Sequence, residues 1–203
     1  MAKAFDVDVE QISTNEIGKR YPHLNLKDVK AGVYLDKDGQ GDPANIALAL
    51  AKGARQRGAL IQERVKVIGI AKLGRRVTGI DWTTEEGSSG HIVCDMVVNC
   101  AGMWGHEVGR MAGINVPLHA CEHFYIVSEP IEGLNQLPVL RVPDECAYYK
   151  EDAGKMMLGA FELNAKPWAM EGIPHDFEFD QLPEDLDHFE PILEMAIKRM
   201  PIL

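Results

Sequence analysis

The residues best suited to chemistry gather in the second half of the chain. His123 and Tyr125 lie two apart in LHACEHFYIVSE, and Tyr148 and Tyr149 follow in CAYYKE. A histidine accepts a proton near neutral pH, and an aromatic face attracts a cation. If the first stretch is extended, alternation puts Cys121, His123 and Tyr125 on one face and Glu122, Phe124 and Ile126 on the other. By the same period Tyr148 and Tyr149 point to opposite faces, so only one of them can line a pocket. Arg141, in LPVLRV, carries a fork that can grip a carboxylate with two hydrogen bonds, and it serves equally well as a surface charge. The unreactive alternative for the whole group is a strand packed with ordinary aromatics.

Other chemistry-bearing types carry less. Cys94, Cys100, Cys121 and Cys146 form no CxxC pair and are irregularly spaced, so no metal site is expected. Cys94 and Cys100 stand in strand-like apolar text and are expected to be small buried hydrophobes, as reduced thiols. His119 and His123 have the i, i+4 spacing of a helical metal pair, but the text around them is β-rich. Residues 39–44, GQGDPA, match GxGxxA with a strand before, a helix after and Glu63 further on, the outline of a dinucleotide-binding unit. A phosphate cradle needs free backbone N–H groups at a positive helix end. Pro43 removes one donor and Asp42 puts a carboxylate where the phosphate would sit, so the stretch reads as a capped helix start.

These residues must be held by a chain of 203 residues and 22.5 kDa, 46% hydrophobic, with mean hydropathy −0.15. That suits one large domain or two small ones. With 21 Lys+Arg against 31 Asp+Glu the net charge is −10, which argues against binding nucleic acid. No apolar run is long enough to span a bilayer, and MAKAFDVDVE lacks the apolar region of a signal peptide. Ser13 and Glu16 have capping-box spacing for a short helix before Pro22. A strand over 31–36, a helix from Asp42 to about Gly58, and strands in ALIQE, VKVIGIAKL, RVTGIDWTT and HIVCDMVVN follow, the last returning to a buried strand at 96–100. HEVGRMAG reads as a short helix. After Pro117 a second β-rich block contains a DAGK hairpin turn, and the closing helix shows Leu186, Phe189, Leu193 and Ile197 on one face. Its apolar end reads as a chain that continues.

The stretch 42–117 resembles the FAD-dependent amine oxidoreductases of the D-amino acid oxidase superfamily. The marks run in order: DP opening a helix, GARQRGALIQERVKVIGI, RVTGIDWTTEEGSSGHIVCDMVVNCAGMWG, then VPL. ACEHFYIVSEPIEGL and AYYKEDAG narrow the resemblance to the dimethylglycine and sarcosine dehydrogenase branch, over roughly residues 34–203. It implies an α/β (α+β) fold: a partial FAD-binding lobe with a β-meander, and an antiparallel β-rich substrate lobe. The expected divisions are a lead-in at 1–41, the FAD lobe at 42–117, the substrate lobe at 118–181 and a helix at 182–203.

The resemblance also implies a function. The full-length protein would oxidise an N-methylated glycine-type amine by hydride transfer to FAD and release formaldehyde. This chain would be a middle piece, lacking the GxGxxG turn and the histidine that holds flavin covalently; alone it would be inactive and bind FAD weakly. The alternative is a β-platform module that binds a partner without catalysis. For the cofactor, the resemblance implies a backbone contact at Val67 and close approach at Ala101, Gly102 and Trp104. For catalysis it supports His123 and one of Tyr148 and Tyr149, while the residues themselves offer Tyr125 and Arg141 toward substrate. Electron-transfer flavoprotein and folate are the implied partners, with no nucleic acid and no membrane. The expected location is cytoplasmic, or the mitochondrial matrix in a eukaryote.

Overall fold

The computed structural model describes residues 2–134 and 136–203. In chain order the elements begin with β1 (Glu10–Ile12), α1 (Thr14–Arg20), β2 (Gly32–Tyr34) and α2 (Pro43–Gln56). Next come β3 (Val65–Leu73), β4 (Arg76–Thr84), β5 (Ser89–Val93), α3 (Gly105–Met111) and β6 (Ala120–Cys121). The remainder is β7 (Tyr125–Val127), β8 (Leu140–Val142), β9 (Ala147–Asp152), β10 (Lys155–Ala160), β11 (Pro167–Trp168) and α4 (Leu186–Arg199). The fold mixes α and β, and every paired strand is antiparallel. The chain divides into two compact units, each assembled from separate stretches of sequence.

The first unit comprises Met1–Gly41, His123–Ala165 and Gln181–Leu203. Its centre is a four-stranded sheet in the order β7-β10-β9-β8. The β9–β10 hairpin turns through Ala153 and Gly154, both at positive φ (53° and 78°), as a tight turn matching strand twist requires. One sheet face is sealed by α4. Tyr149, Met156, Leu158, Ala147 and Ala160 pack with Phe189, Ile192, Ala196 and Met200 in one core. The face of α4 differs in part from the expected stripe: Phe189 is buried and Leu193 packs against the core, but Leu186 and Ile197 are exposed, and the helix buries Ile192 and Ala196 as well. Apolar residues lie on more than one side of this helix, and the sheet selects which stripe to cover.

Arg199, at the end of α4, ties distant segments of this unit together. Its guanidinium donates to Asp28 at 2.9 Å, to Glu145 at 2.5 Å and to the Asn25 carbonyl at 2.5 Å. Those bonds push its pKa further up, and they hold the Asp28 carboxyl below its ordinary value. In the same unit, α1 begins with a complete capping box: the Glu16 N–H donates to Ser13 Oγ, and the Ser13 N–H donates to Glu16 Oε2.

The second unit comprises Asp42–Glu122 and Lys166–Asp180. It holds α2, α3, the β6–β11 pair and the meander β3-β4-β5. Within the meander, the Trp82 ring lies over Gly90, where a Cβ would come within 2.6 Å of it. The residue opposite Asp81 on β5 is His91, and its Nδ1 sits 2.8 Å from the carboxylate. Two expected strands do not form. ALIQE is irregular up to Arg64, which sits at φ 58°, and β3 starts at Val65. Residues 96–100 are likewise irregular, with Met96 78% and Val98 76% exposed; Cys100 is exposed and Cys94 only half-buried, not the buried pair expected. An apolar run becomes a strand only where another edge pairs with it.

Candidate functional site

The sheet of the first unit aligns the chemistry-bearing residues in one row. Tyr125 on β7 stands opposite Gly159 on β10, Gly159 opposite Tyr148 on β9, and Tyr148 opposite Arg141 on β8. Directly opposed residues share a face, so Tyr125, Tyr148 and Arg141 project from the side away from α4. The neighbouring row, Ile126–Leu158–Tyr149–Leu140, faces the core. The period of two therefore separates the paired tyrosines: Tyr148 joins the open face, and Tyr149 is 0% exposed beneath it. The Tyr149 hydroxyl finds no hydrogen-bond partner among the described residues, and burial pushes its pKa up to about 12.

Phe161, just past the end of β10, is the hub of the open face. Its ring lies 5.5 Å from the Tyr148 ring and 6.4 Å, edge-on, from the His123 imidazole. The Arg141 guanidinium sits 5.0 Å from the same ring. Burial raises the Tyr148 pKa, with the carboxylate of Glu162 adding to it and Arg141 opposing, so the phenol stays protonated at working pH. His123 lies in the irregular segment before β7, not within a continuous strand with Cys121 as alternation suggested: β6 and β7 are separate strands, and Cys121 pairs with Pro167 in the second unit.

Glu162 anchors His123. Its Oε2 is 2.7 Å from His123 Nδ1, its Oε1 accepts the Phe124 N–H at 3.0 Å, and its side chain is 3% exposed. Sequence reasoning singled out neither Phe161 nor Glu162. They follow the hairpin strand that brings them alongside a histidine 39 residues earlier, and no local spacing signals that contact.

The residues singled out for the cofactor lie in the second unit. Val67 is half-buried on β3, the edge strand of the meander, opposite Trp82 and just before a bulge. Ala101, Gly102 and Trp104 form a turn leading into α3. Asn99 organises that turn: its Oδ1 accepts the Ala101 N–H at 3.2 Å, and its Nδ2 donates to the Gly105 carbonyl at 2.8 Å. Gly102 sits at φ 53°, and a Cβ built there would meet no atom within 4 Å. An edge strand and a small-residue turn with open backbone fit the close approach of a flat aromatic group. The GxGxxA stretch does not fit a pyrophosphate: Asp42 Oδ1 accepts the Asn45 N–H at 2.7 Å, so the helix end is capped by the chain's own carboxylate.

Comparison with known proteins agrees with this reading of the fold. The family described as DAO, FAD dependent oxidoreductase, matches residues 1–203. The chain is 37% identical over 198 residues to the mitochondrial pyruvate dehydrogenase phosphatase regulatory subunit of Mus musculus, covering 96% of this chain and 22% of that protein. It is 37% identical over 208 residues to human mitochondrial sarcosine dehydrogenase, covering 100% of this chain and 22% of that one. Mitochondrial dimethylglycine dehydrogenase of Mus musculus is 32% identical over 201 residues, 95% of this chain and 23% of that protein. The chain thus spans less than a quarter of the length of these relatives. Among solved structures, L-proline dehydrogenase from P. horikoshii superposes with TM-score 0.73 at 22% identity, over 98% of this chain and 50% of that one. The chain belongs to the DAO family of FAD-dependent oxidoreductases.

Proposed function

We propose, from membership of this family, that the chain is part of an enzyme that oxidises an N-methylated glycine-type amine, sarcosine or dimethylglycine, with FAD. The observation that supports it is the open sheet face of the first unit, where His123, Tyr148 and Arg141 converge on Phe161. Such a substrate presents an ammonium at one end and a carboxylate at the other. The aromatic faces of Phe161, Tyr148 and Tyr125 suit the first, and the Arg141 fork suits the second. His123 Nε2 has no hydrogen bond among the described residues and serves as acceptor for the ammonium proton, freeing the nitrogen lone pair that drives oxidation. Tyr148, protonated, donates a hydrogen bond to the substrate. Tyr149 supports the sheet from beneath. The chemistry FAD supplies when bound is acceptance of a hydride from the carbon beside that nitrogen. Val67, Ala101, Gly102 and Trp104 would lie against it through backbone and ring.

The names of the relatives place those proteins in mitochondria, and a matrix location is our reading if this chain is eukaryotic. Among the described residues, no helix is long and apolar enough to cross a membrane.

The test is anaerobic mixing of the full-length protein with sarcosine or dimethylglycine while following flavin absorbance. Bleaching by one of them is expected, with kcat/KM falling at least about 100-fold in His123→Ala. A flavin that no N-methyl amine reduces would overturn the assignment.

A further inference from the structure

The buried partner of His123 carries a role beyond packing. Glu162 is 3% exposed at its side chain, in a unit whose other carboxylates mostly reach solvent, and both its oxygens are engaged. A buried carboxylate persists only where its hydrogen bonds compensate for lost water. Here two donors face it: the Phe124 N–H at 3.0 Å and His123 Nδ1 at 2.7 Å. A carboxylate can only accept, so the proton of a neutral imidazole must sit on Nδ1, leaving Nε2 as the lone-pair nitrogen. The ring is further held edge-on against Phe161.

We propose that Glu162 is a positioning residue that fixes the tautomer and orientation of His123, so that Nε2 alone is presented as the proton acceptor. This rests on the reading of His123 given above. The other titratable or charged groups on this face are Arg141, Tyr125 and Tyr148 and, further along the same strands, Lys150, Asp152 and Lys155; His188 packs edge-on against Phe124, 5.9 Å away. None of these makes a hydrogen bond to the imidazole among the described residues.

Glutamine at position 162 separates the roles. An amide has one acceptor oxygen, while this position faces two donors. If the oxygen keeps the Phe124 N–H, the amide N–H₂ points at Nδ1 and drives the proton to Nε2, turning the acceptor into a donor. Side-chain volume is unchanged, so packing is preserved.

The experiment compares the full-length protein with its E162Q and E162D variants by two measurements. The first is ¹⁵N NMR of labelled histidine, with His123 assigned by its absence in H123A. The unmutated protein is expected to show protonated Nδ1 and free Nε2, E162Q the opposite tautomer, and E162D the native one. The second is the pH profile of kcat/KM. E162Q is expected to lose at least about tenfold at the plateau, because Nε2 now carries the proton and cannot accept another. E162D is expected to recover much of that loss. An Nε2–H tautomer in the unmutated protein overturns the proposal, even if neither variant folds. So does an E162Q variant that keeps its plateau while the thermal midpoint falls. If the tautomer changes as expected but H123A retains full activity, the positioning stands and the assignment of His123 as proton acceptor fails.

Discussion

The ring of Tyr148 lies directly over Gly159, its cross-strand partner on β10. A Cβ built at Gly159 would clash with the phenol, at its Cζ and Oη. The absence of a side chain at one position is therefore what lets the phenol lie flat between Tyr125 and Arg141 on the open face. Gly159 is buried in a β-strand, where a glycine is otherwise unfavourable.

Gly159→Ala is expected to lower stability by about 1–3 kcal/mol, the usual cost of overpacking a close contact. In a Tyr148→Ala background the same change should cost little, because the ring is gone. Urea denaturation of the four proteins measures the coupling. An equal cost in both backgrounds would mean that the clash lies elsewhere.

The two adjacent tyrosines should answer differently to loss of their hydroxyls. Tyr149→Phe removes a buried hydroxyl with no partner among the described residues, so the thermal midpoint should hold or rise, by up to about 1 kcal/mol of stability. Activity should not change. Tyr148→Phe should leave the midpoint nearly unmoved and lower kcat/KM. Calorimetry and steady-state kinetics on the full-length variants check the pair, and a reversed pattern would exchange the roles of the two residues.

Acid should weaken the tie between Asp28 and Arg199. The folded-state pKa of Asp28 lies below its ordinary 3.8, chiefly through hydrogen bonds from Arg199. A depressed carboxylate contributes stability above its unfolded pKa and loses it as pH falls from there through the folded value. Thermal midpoints should therefore drop below about pH 4. Glu16 is lowered in the same sense by its Ser13 cap, so the isolating comparison is Asp28→Asn, which should flatten part of that decline and lower stability at neutral pH. A slope identical to that of the unmutated protein would remove Asp28 from this account.

The isolated chain is expected to bind FAD weakly. On the reading proposed above, Val67 and the Ala101–Gly102 turn would meet only the flat ring, and the GxGxxA stretch withholds its helix end from a phosphate. Flavin fluorescence on titration with the chain measures this. Tight stoichiometric quenching would show that this chain holds the phosphates by other residues.

Much of the architecture was legible because it is local. Ser13 and Glu16 form their capping box, Asp42 and Pro43 start α2, and Ala153–Gly154 turns β9 into β10, each governed by residues a few positions apart. Alternation alone required Tyr148 and Tyr149 to part. Which of them faces α4 depended on the sheet that pairs Tyr149 with Leu158 and Leu140, and on the stripe of α4 that covers it. The failed strands at 59–63 and 96–100 have the same origin. Their apolar text permits a strand, but a ladder needs a second edge, and among the described residues none is presented to them. Glu162 is the clearest case. Nothing in LGAFEL distinguishes that glutamate from a surface charge. The β7-β10 pairing carries it alongside His123, where burial removes water and leaves the imidazole and the Phe124 amide as its donors. Residue types and their short-range spacing determined the elements and the chemistry on offer; long-range pairing and burial decided which groups meet, because only there is solvent excluded strongly enough for one hydrogen bond to orient another group.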